Sequence, residues 1–322
     1  MSSHHFHPST DWNPEALLES ENAHETARTE LWEQGAGLQA GLVGQIRACE
    51  PMMIINADDF GRSVAETDTA AALVQRGGVT SLSAMVFMDD SERAADIAQD
   101  LDADVGLHLN FCERWMSRNV PSSLRHHHDS LVRFFDRGRY AVLFYDPRLR
   151  RSFDAVYQAE VDEFRRLYGR PPSHIDGHRH LHLCANMLID RVIPAGTRVR
   201  RNFTFTHGEK GVFNRAYRRV VDTLLGRRYT LTDYFFSLQQ SLSGRGRPLR
   251  EVAELAKTAS VEVMTHPRNP NEFLCLDGQT YKDALESVWL GKYAARAVNW
   301  GSRVDKSMIR GLLAGLCECS LL

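Results

Sequence analysis

The chain has 322 residues, of which 43% are hydrophobic and 25% charged, with a formal net charge of −2. Those values describe a soluble globular protein large enough for one sizeable core. They exclude nucleic acid as the main partner, because a polyanion calls for a basic field. They also exclude a membrane span, since no run approaches the roughly 20 apolar residues that cross a bilayer.

Residues 1–50 are polar and lack a sustained apolar run. They read as an N-terminal extension, partly mobile, ahead of a single domain over 51–322, with helix over Pro14 to Val43 as its main ordered candidate. His4, His5 and His7 read as tail residues. The start lacks the basic-then-apolar pattern of a leader, so a cytoplasmic protein is expected. The six cysteines (Cys49, Cys112, Cys184, Cys275, Cys317 and Cys319) form no CxxC pair and read as reduced thiols.

From Met52 the pattern sharpens. Met52-Met53-Ile54-Ile55-Asn56 predicts a buried strand. A helix over Val64 to Arg76 closes at Gly77-Gly78. Val79 to Phe87 predicts a strand, and Ser91 caps a helix through Leu101. Val105 to Phe111 is again a strand. His126-His127-His128 reads as a solvated loop. Ser152 to Tyr168 is the clearest helix, with Phe153, Val156, Tyr157, Val161, Phe164, Leu167 and Tyr168 on one face. A strand is expected over Ile175 to Leu183. The basic cluster between Arg191 and Arg228 reads as a solvated helix face. Then come a helix over Pro248 to Thr258, a strand over Val261 to Thr265 and a helix over Tyr281 to Val298. Strands alternating with helices predict an α/β fold with a mostly parallel sheet, closed or nearly closed into a β/α barrel, with an open doubly wound sheet as the alternative.

Chemistry gathers where these strands end. Asp58 and Asp59 follow an apolar strand directly, a costly place for two charges unless a cation or a proton is used there. In Gly106-Leu107-His108-Leu109-Asn110, His108 and Asn110 share the face opposite the leucines. In His174 to His182, the positions His174, Asp176, His178, His180 and His182 all fall on one face of the expected strand. Imidazole is the commonest metal ligand, and a carboxylate orients it through its second nitrogen. His266 leaves the strand ending at Thr265, placed for acid/base work. A set of carboxylates and imidazoles without cysteine suits zinc, cobalt and other first-row divalent ions, and admits magnesium. Spacing does not choose between His178 and His180.

Taken together, NADDFG (Asn56 to Gly61), VTS (Val79 to Ser81), GLHLN, HIDGHRHLH and the final His-Pro resemble the YdjC-like carbohydrate deacetylases, which include the chito-oligosaccharide deacetylases. The resemblance covers residues 52 to about 268 in order and spacing. It implies a distorted, TIM-like β/α barrel holding one divalent metal ion (magnesium, zinc or cobalt) on Asp59, His108 and His178. It further implies Asp58 as general base, His266 as general acid, an N-acetylated amino sugar or oligosaccharide as substrate, and a homodimer. Asn110, Asp176, His180, His182, Arg200 and Arg268 are then candidates for supporting the ligands or contacting substrate, with Arg200, Arg201 and Arg268 facing an acidic group on the sugar. The chain departs from the pattern at Arg179, which interrupts a run of histidines, and at Arg268, where the family often has glycine. Between Glu113 and Arg151 it carries arginines and aromatics, including Trp115, Phe134, Phe135 and Tyr140, in place of a Gly/Pro-rich loop. The competing readings are another metal-dependent amidase or a phosphoesterase on the same barrel, and a non-catalytic sugar-binding protein.

Overall fold

The computed structural model describes residues 50–117, 120–205 and 212–293. The N-terminal extension with its expected helix, Cys317 and Cys319 lie outside the described residues.

Six parallel strands form one sheet: β1 (Met52–Phe60), β2 (Ser81–Ala84), β3 (Asp104–Leu109), β4 (Ile175–Gly177), β5 (Tyr234–Ser237) and β6 (Ser260–Thr265), in the spatial order β4-β3-β2-β1-β6-β5. Parallel strands need crossovers, and helices supply them. These are α1 (Val64–Gln75), α2 (Ser91–Ala98), α3 (Ser122–Phe135), α4 (Arg150–Tyr168), the short α5 (Ala185–Ile189), α6 (Val212–Gly226), α7 (Leu238–Leu242), α8 (Leu249–Ala256), α9 (Pro270–Asp277) and α10 (Gln279–Leu285). Among the described residues no helix is long and apolar enough to cross a membrane.

Strand alternation sorts β1 into two faces. Met53, Ile55 and Ala57 join the main apolar core, whereas Met52 and Ile54 meet Tyr293 in a separate small cluster. The sheet curls so that this second face becomes an interior. The irregular run 197–204 links its two edges. Arg200 N donates to Ile175 O (3.0 Å) at the β4 edge, Val199 N to Thr230 O (3.0 Å), and Thr204 N to Phe235 O (2.9 Å) at the β5 edge. The result is the distorted α/β barrel the alternation predicts.

The end of the barrel at which β1 begins is stoppered by residues 289–293. Met53 N donates to Trp289 O and Gly291 N to Met53 O, each at 2.9 Å. The Tyr293 ring stacks on His174 at 4.0 Å and its hydroxyl donates to Glu262. His174 in turn lies against Gly106, where any Cβ would fall 2.3 Å from the imidazole. Only glycine fits beneath that ring.

The amphipathic stripe of α4 buries Phe153, Val156, Tyr157, Val161 and Phe164, and Gly169 ends the helix with φ 63°. Four expectations need correction. His126 to His128 lie in α3, not in a loop: His128 is buried, stacked on Trp115 at 4.0 Å, with Nε2 3.0 Å from Asn110 O. The third strand motif is cut short, because β4 stops at Gly177 and the chain turns through Arg179 and His180 at φ 53° and 59°. The last predicted helix ends at Leu285 instead of Val298. Ser91 is the first residue of α2 and not its cap, which is Asp90; the Ser91 hydroxyl donates to Met85 O and accepts from Met88 N.

Candidate metal centre

In a regular strand Asp58 and Asp59 would point to opposite faces. Here they do not follow that rule, because the pairing of β1 with β2 slips between Ala57 and Phe60 and Asp59 takes a left-handed φ of 66°. This bulge brings both carboxylates to one cleft. Neither the slip nor the unusual φ is visible in the sequence.

Asp59, His108 and His178 offer ligand atoms that all lie within 4.8 Å of one another. His178 Nδ1 is 2.9 Å from Asp59 Oδ1, and His108 Nε2 is 3.4 Å from the same oxygen. His108 Nδ1 is engaged by Asp176 Oδ1 at 2.9 Å, which leaves Nε2 facing the cluster. Burial opposes ionisation of Asp59, but hydrogen bonds and charge from His108 and His178 outweigh it and hold the carboxyl well below its usual range. Burial likewise opposes protonation of His108, and the carboxylates of Asp176 and Asp58 override it to raise the pKa. A carboxylate and two imidazoles whose ligand atoms converge this closely are the donor set a divalent cation would satisfy, so the residues fit a metal ion. A second group, Asp58, His108 and Asp176, shares His108.

Behind the cluster runs a wholly buried network. The Arg200 guanidinium grips Asp58 through two 2.7 Å bonds, Asp176 at 2.6 Å and Glu262 at 2.7 Å. Ser83 donates to Asp176 (2.9 Å) and accepts from Asn56 (2.8 Å), whose amide also donates to Asp58 (2.9 Å). Arg200 has no exposed surface. The expectation that it contacts substrate is therefore corrected: three carboxylates hold it inside, and it supports Asp58 and Asp176. Arg201 is tied to Asp222 at 2.7 Å. Arg268 remains largely exposed, 3.4 Å from Glu66.

The cleft itself, about 290 Å³, is lined by Asp58, Asp59, Arg62, Glu66, His266 and Arg268 among others. The His266 backbone N–H donates to Glu272 at 2.9 Å, which fixes the turn after β6. Burial raises the Glu272 pKa. Sequence reasoning missed Arg62 and Glu113. Arg62 Nε bonds Glu113 at 2.9 Å, and Glu113 Oε2 lies 3.6 Å from His178 Nε2. Both follow a motif by a few residues, and only the fold shows that they meet.

The remaining candidates lie apart from the cluster. The Asn110 side chain folds its own loop, donating to Glu113 O (2.6 Å) and accepting from Glu113 N (2.8 Å). The His180 ring packs edge-on against Phe203 at 4.7 Å, and burial lowers its pKa strongly. His182 Nε2 reaches Arg200 O at 3.1 Å, and burial brings its pKa down to about 4. The turn after Gly177 thus separates His180 and His182 from His178, which a continuous strand would not.

A model of the family described as YdjC-like protein matches residues 52–294. A chitooligosaccharide deacetylase of Serratia marcescens is 30% identical over 138 residues, 42% of this chain and 51% of that one. A carbohydrate deacetylase of Vibrio campbellii is 30% identical over 228 residues, 69% of this chain and 80% of that one. A mouse carbohydrate deacetylase is 34% identical over 41% of this chain and 43% of its own. The matched stretch spans about half the length of the Serratia relative (51%) and less of the mouse one (43%). Among solved structures, a candidate cellobiose-phosphate cleavage protein from Enterococcus faecalis aligns with a TM-score of 0.53 and 19% identity, covering 76% of this chain and 97% of that one. That likeness concerns the fold.

Proposed function

The chain belongs to the YdjC-like family, and on that premise we propose that it is a hydrolase that removes the N-acetyl group of an amino sugar, using one divalent ion on Asp59, His108 and His178. The carrying observation is the convergence of those three ligand atoms within 4.8 Å, beside a cleft that Asp58 and His266 also line. Relatives that bear deacetylase names support the reaction class.

A bound ion supplies Lewis acidity for the acetyl carbonyl and for water. The chain's own groups do the rest. Asp58 is positioned to take the proton of the attacking water. Arg200 pins it in place, and among the described residues Oδ2 accepts a hydrogen bond from Arg200 alone, which leaves it a lone pair. His266, anchored through its backbone on Glu272, gives a proton to the amine as the C–N bond breaks, because an amide nitrogen leaves poorly as an anion. Asp176 sets the tautomer of His108. Water adds to the acetyl carbon, and acetate and a free amino sugar result.

The test compares metal-free wild type with Asp59→Ala, each titrated with zinc, cobalt and magnesium while acetate release is followed on N-acetylated sugars. Release restored by metal in wild type and lost in Asp59→Ala is expected. Phosphate release from sugar phosphates without acetate release would replace the deacetylase with a phosphoesterase. Wild type that binds no metal would overturn the reading altogether.

A further inference from the structure

A second cavity begins at the residue after His178. Arg179 and His180 line it, and it encloses about 940 Å³ between the turn after β4, the 139–143 loop and α6. Arg179 and Arg139 also line an adjoining hollow of about 420 Å³ with Cys112, Phe135 and Asp136, and no ion pair joins Asp136 to either arginine among the described residues. Volumes of this order suit a ligand larger than one sugar.

Its lining differs from that of the catalytic cleft. Leu183, Leu188, Ile189, Val220 and Leu224 make an aliphatic wall, and four arginines (Arg139, Arg179, Arg201 and Arg218) stand along it. No aspartate or glutamate lines it among the described residues. Ile189, Val220 and Leu224 are 59%, 59% and 52% exposed, so the outer part of the wall is an exposed apolar patch, while Leu183 and Leu188 behind it pack partly buried against the core. The Arg179 guanidinium makes no hydrogen bond or ion pair with a described residue, and its backbone is held at φ 53° beside a metal-ligand candidate. Among the described residues Arg139 meets Tyr140 alone, donating to its hydroxyl at 2.8 Å and standing over its ring at 4.7 Å. A neutral oligosaccharide is bound through many polar partners. Aliphatic walls with arginines and no acid complement a different ligand, one apolar along its length and anionic near one end.

We propose that this groove is an aglycone subsite: the amino sugar reaches Asp59, His108 and His178 joined through an anionic linkage to an aliphatic chain, with Arg179 and Arg139 on the anion and the Leu183–Leu224 wall on the chain. The proposal rests on the deacetylase reading above. It names the substrate class of that site as an anionic amphiphile.

Two measurements test it. Calorimetry with decyl phosphate, below its micellar concentration, is expected to show binding at least 10-fold tighter than inorganic phosphate or decyl maltoside, weakened 5-fold or more in Arg179→Ala and in Leu224→Asp. Acetate release is then compared between N-acetylglucosaminyl decyl phosphate diester and diacetylchitobiose, both with metal-loaded protein. A preference of 10-fold or more in kcat/KM for the diester is expected, falling toward parity in both variants. Deacetylation of diacetylchitobiose with no binding of decyl phosphate overturns the groove assignment and leaves the deacetylase reading intact. Decyl phosphate bound in the groove with no acetate from either sugar overturns the reaction and leaves the site. A dimer in sedimentation that Leu224→Asp dissociates, with no decyl phosphate binding, makes the patch a contact between copies and overturns the subsite.

Discussion

Inside the barrel, Arg200 meets Asp58, Asp176 and Glu262 at 2.6 to 2.7 Å with no surface left to solvent. Along the groove, Arg139 and Arg179 stand beside aliphatic side chains and make no ion pair among the described residues, although Asp136 lines the adjoining hollow. The same guanidinium is an internal tie in one place and a free hand in the other. What differs is the partner supply: three strands deliver acids to Arg200, and none delivers one to Arg179. Buried, fully paired charge fixes geometry, whereas unpaired charge at a surface is available for recognition.

That contrast can be broken most forcefully at Arg200. Arg200→Met strands three carboxylates in the interior and is expected to cost about 3–5 kcal/mol in denaturant unfolding. A loss under about 1 kcal/mol would mean the acids are neutral without it.

Glu160 sharpens the comparison from the opposite side, as a buried acid that no arginine or lysine pairs among the described residues. It accepts from Asn110 N (3.0 Å) and Trp115 Nε1 (3.1 Å), and burial pushes its pKa from 4.5 up to about 8. The folded state keeps a proton that the unfolded chain gives up. Stability therefore falls as pH rises from about 4.5 to about 8, by up to about 1.4 kcal/mol for each unit crossed. Melting temperatures from pH 5 to 8 should fall more steeply in wild type than in Glu160→Gln; parallel curves would show that Glu160 is ionised in the fold.

Asp176→Asn keeps the shape but removes the charge that orients His108. A loss of metal affinity of about 10–100-fold is expected by competition with a chelating dye. Unchanged affinity would show that His108 needs no such partner.

At the small end, Arg179→Met should shift stability by no more than about 0.5 kcal/mol. A drop comparable to that of Arg200→Met would place Arg179 among the internal ties and erase the contrast.

Much of the candidate site is legible in the sequence. The apolar runs of β1, β3 and β6 announce themselves, and Asp59, His108 and His266 sit where those runs end. The unreadable parts depend on distant partners. Asp59 faces the cleft because β1 slips against β2, and His178 parts from His180 and His182 because β4 stops early and the chain turns left-handed at Arg179 and His180. Arg200 is one arginine in a basic stretch until Asp58, Asp176 and Glu262 surround it. The helix α3 is masked by three histidines, and the burial of His128 becomes sensible once Trp115 stacks on it. The groove joins aliphatic residues from α5 and α6 to a loop near residue 140, a juxtaposition with no local signature.

The stopper of residues 289–293 has a consequence for where the folding unit ends. Tyr293 covers His174 with its ring and supplies the hydroxyl that Glu262 accepts. A stop codon after Val288 would leave every proposed site residue in place, yet it is expected to open the floor of the barrel to water beneath Arg200. The family match runs to residue 294, one position past that tyrosine. Sealing is thus a matter of drainage: the chain must continue at least as far as Tyr293 to keep water from the polar interior, at the end of the strands opposite the candidate site.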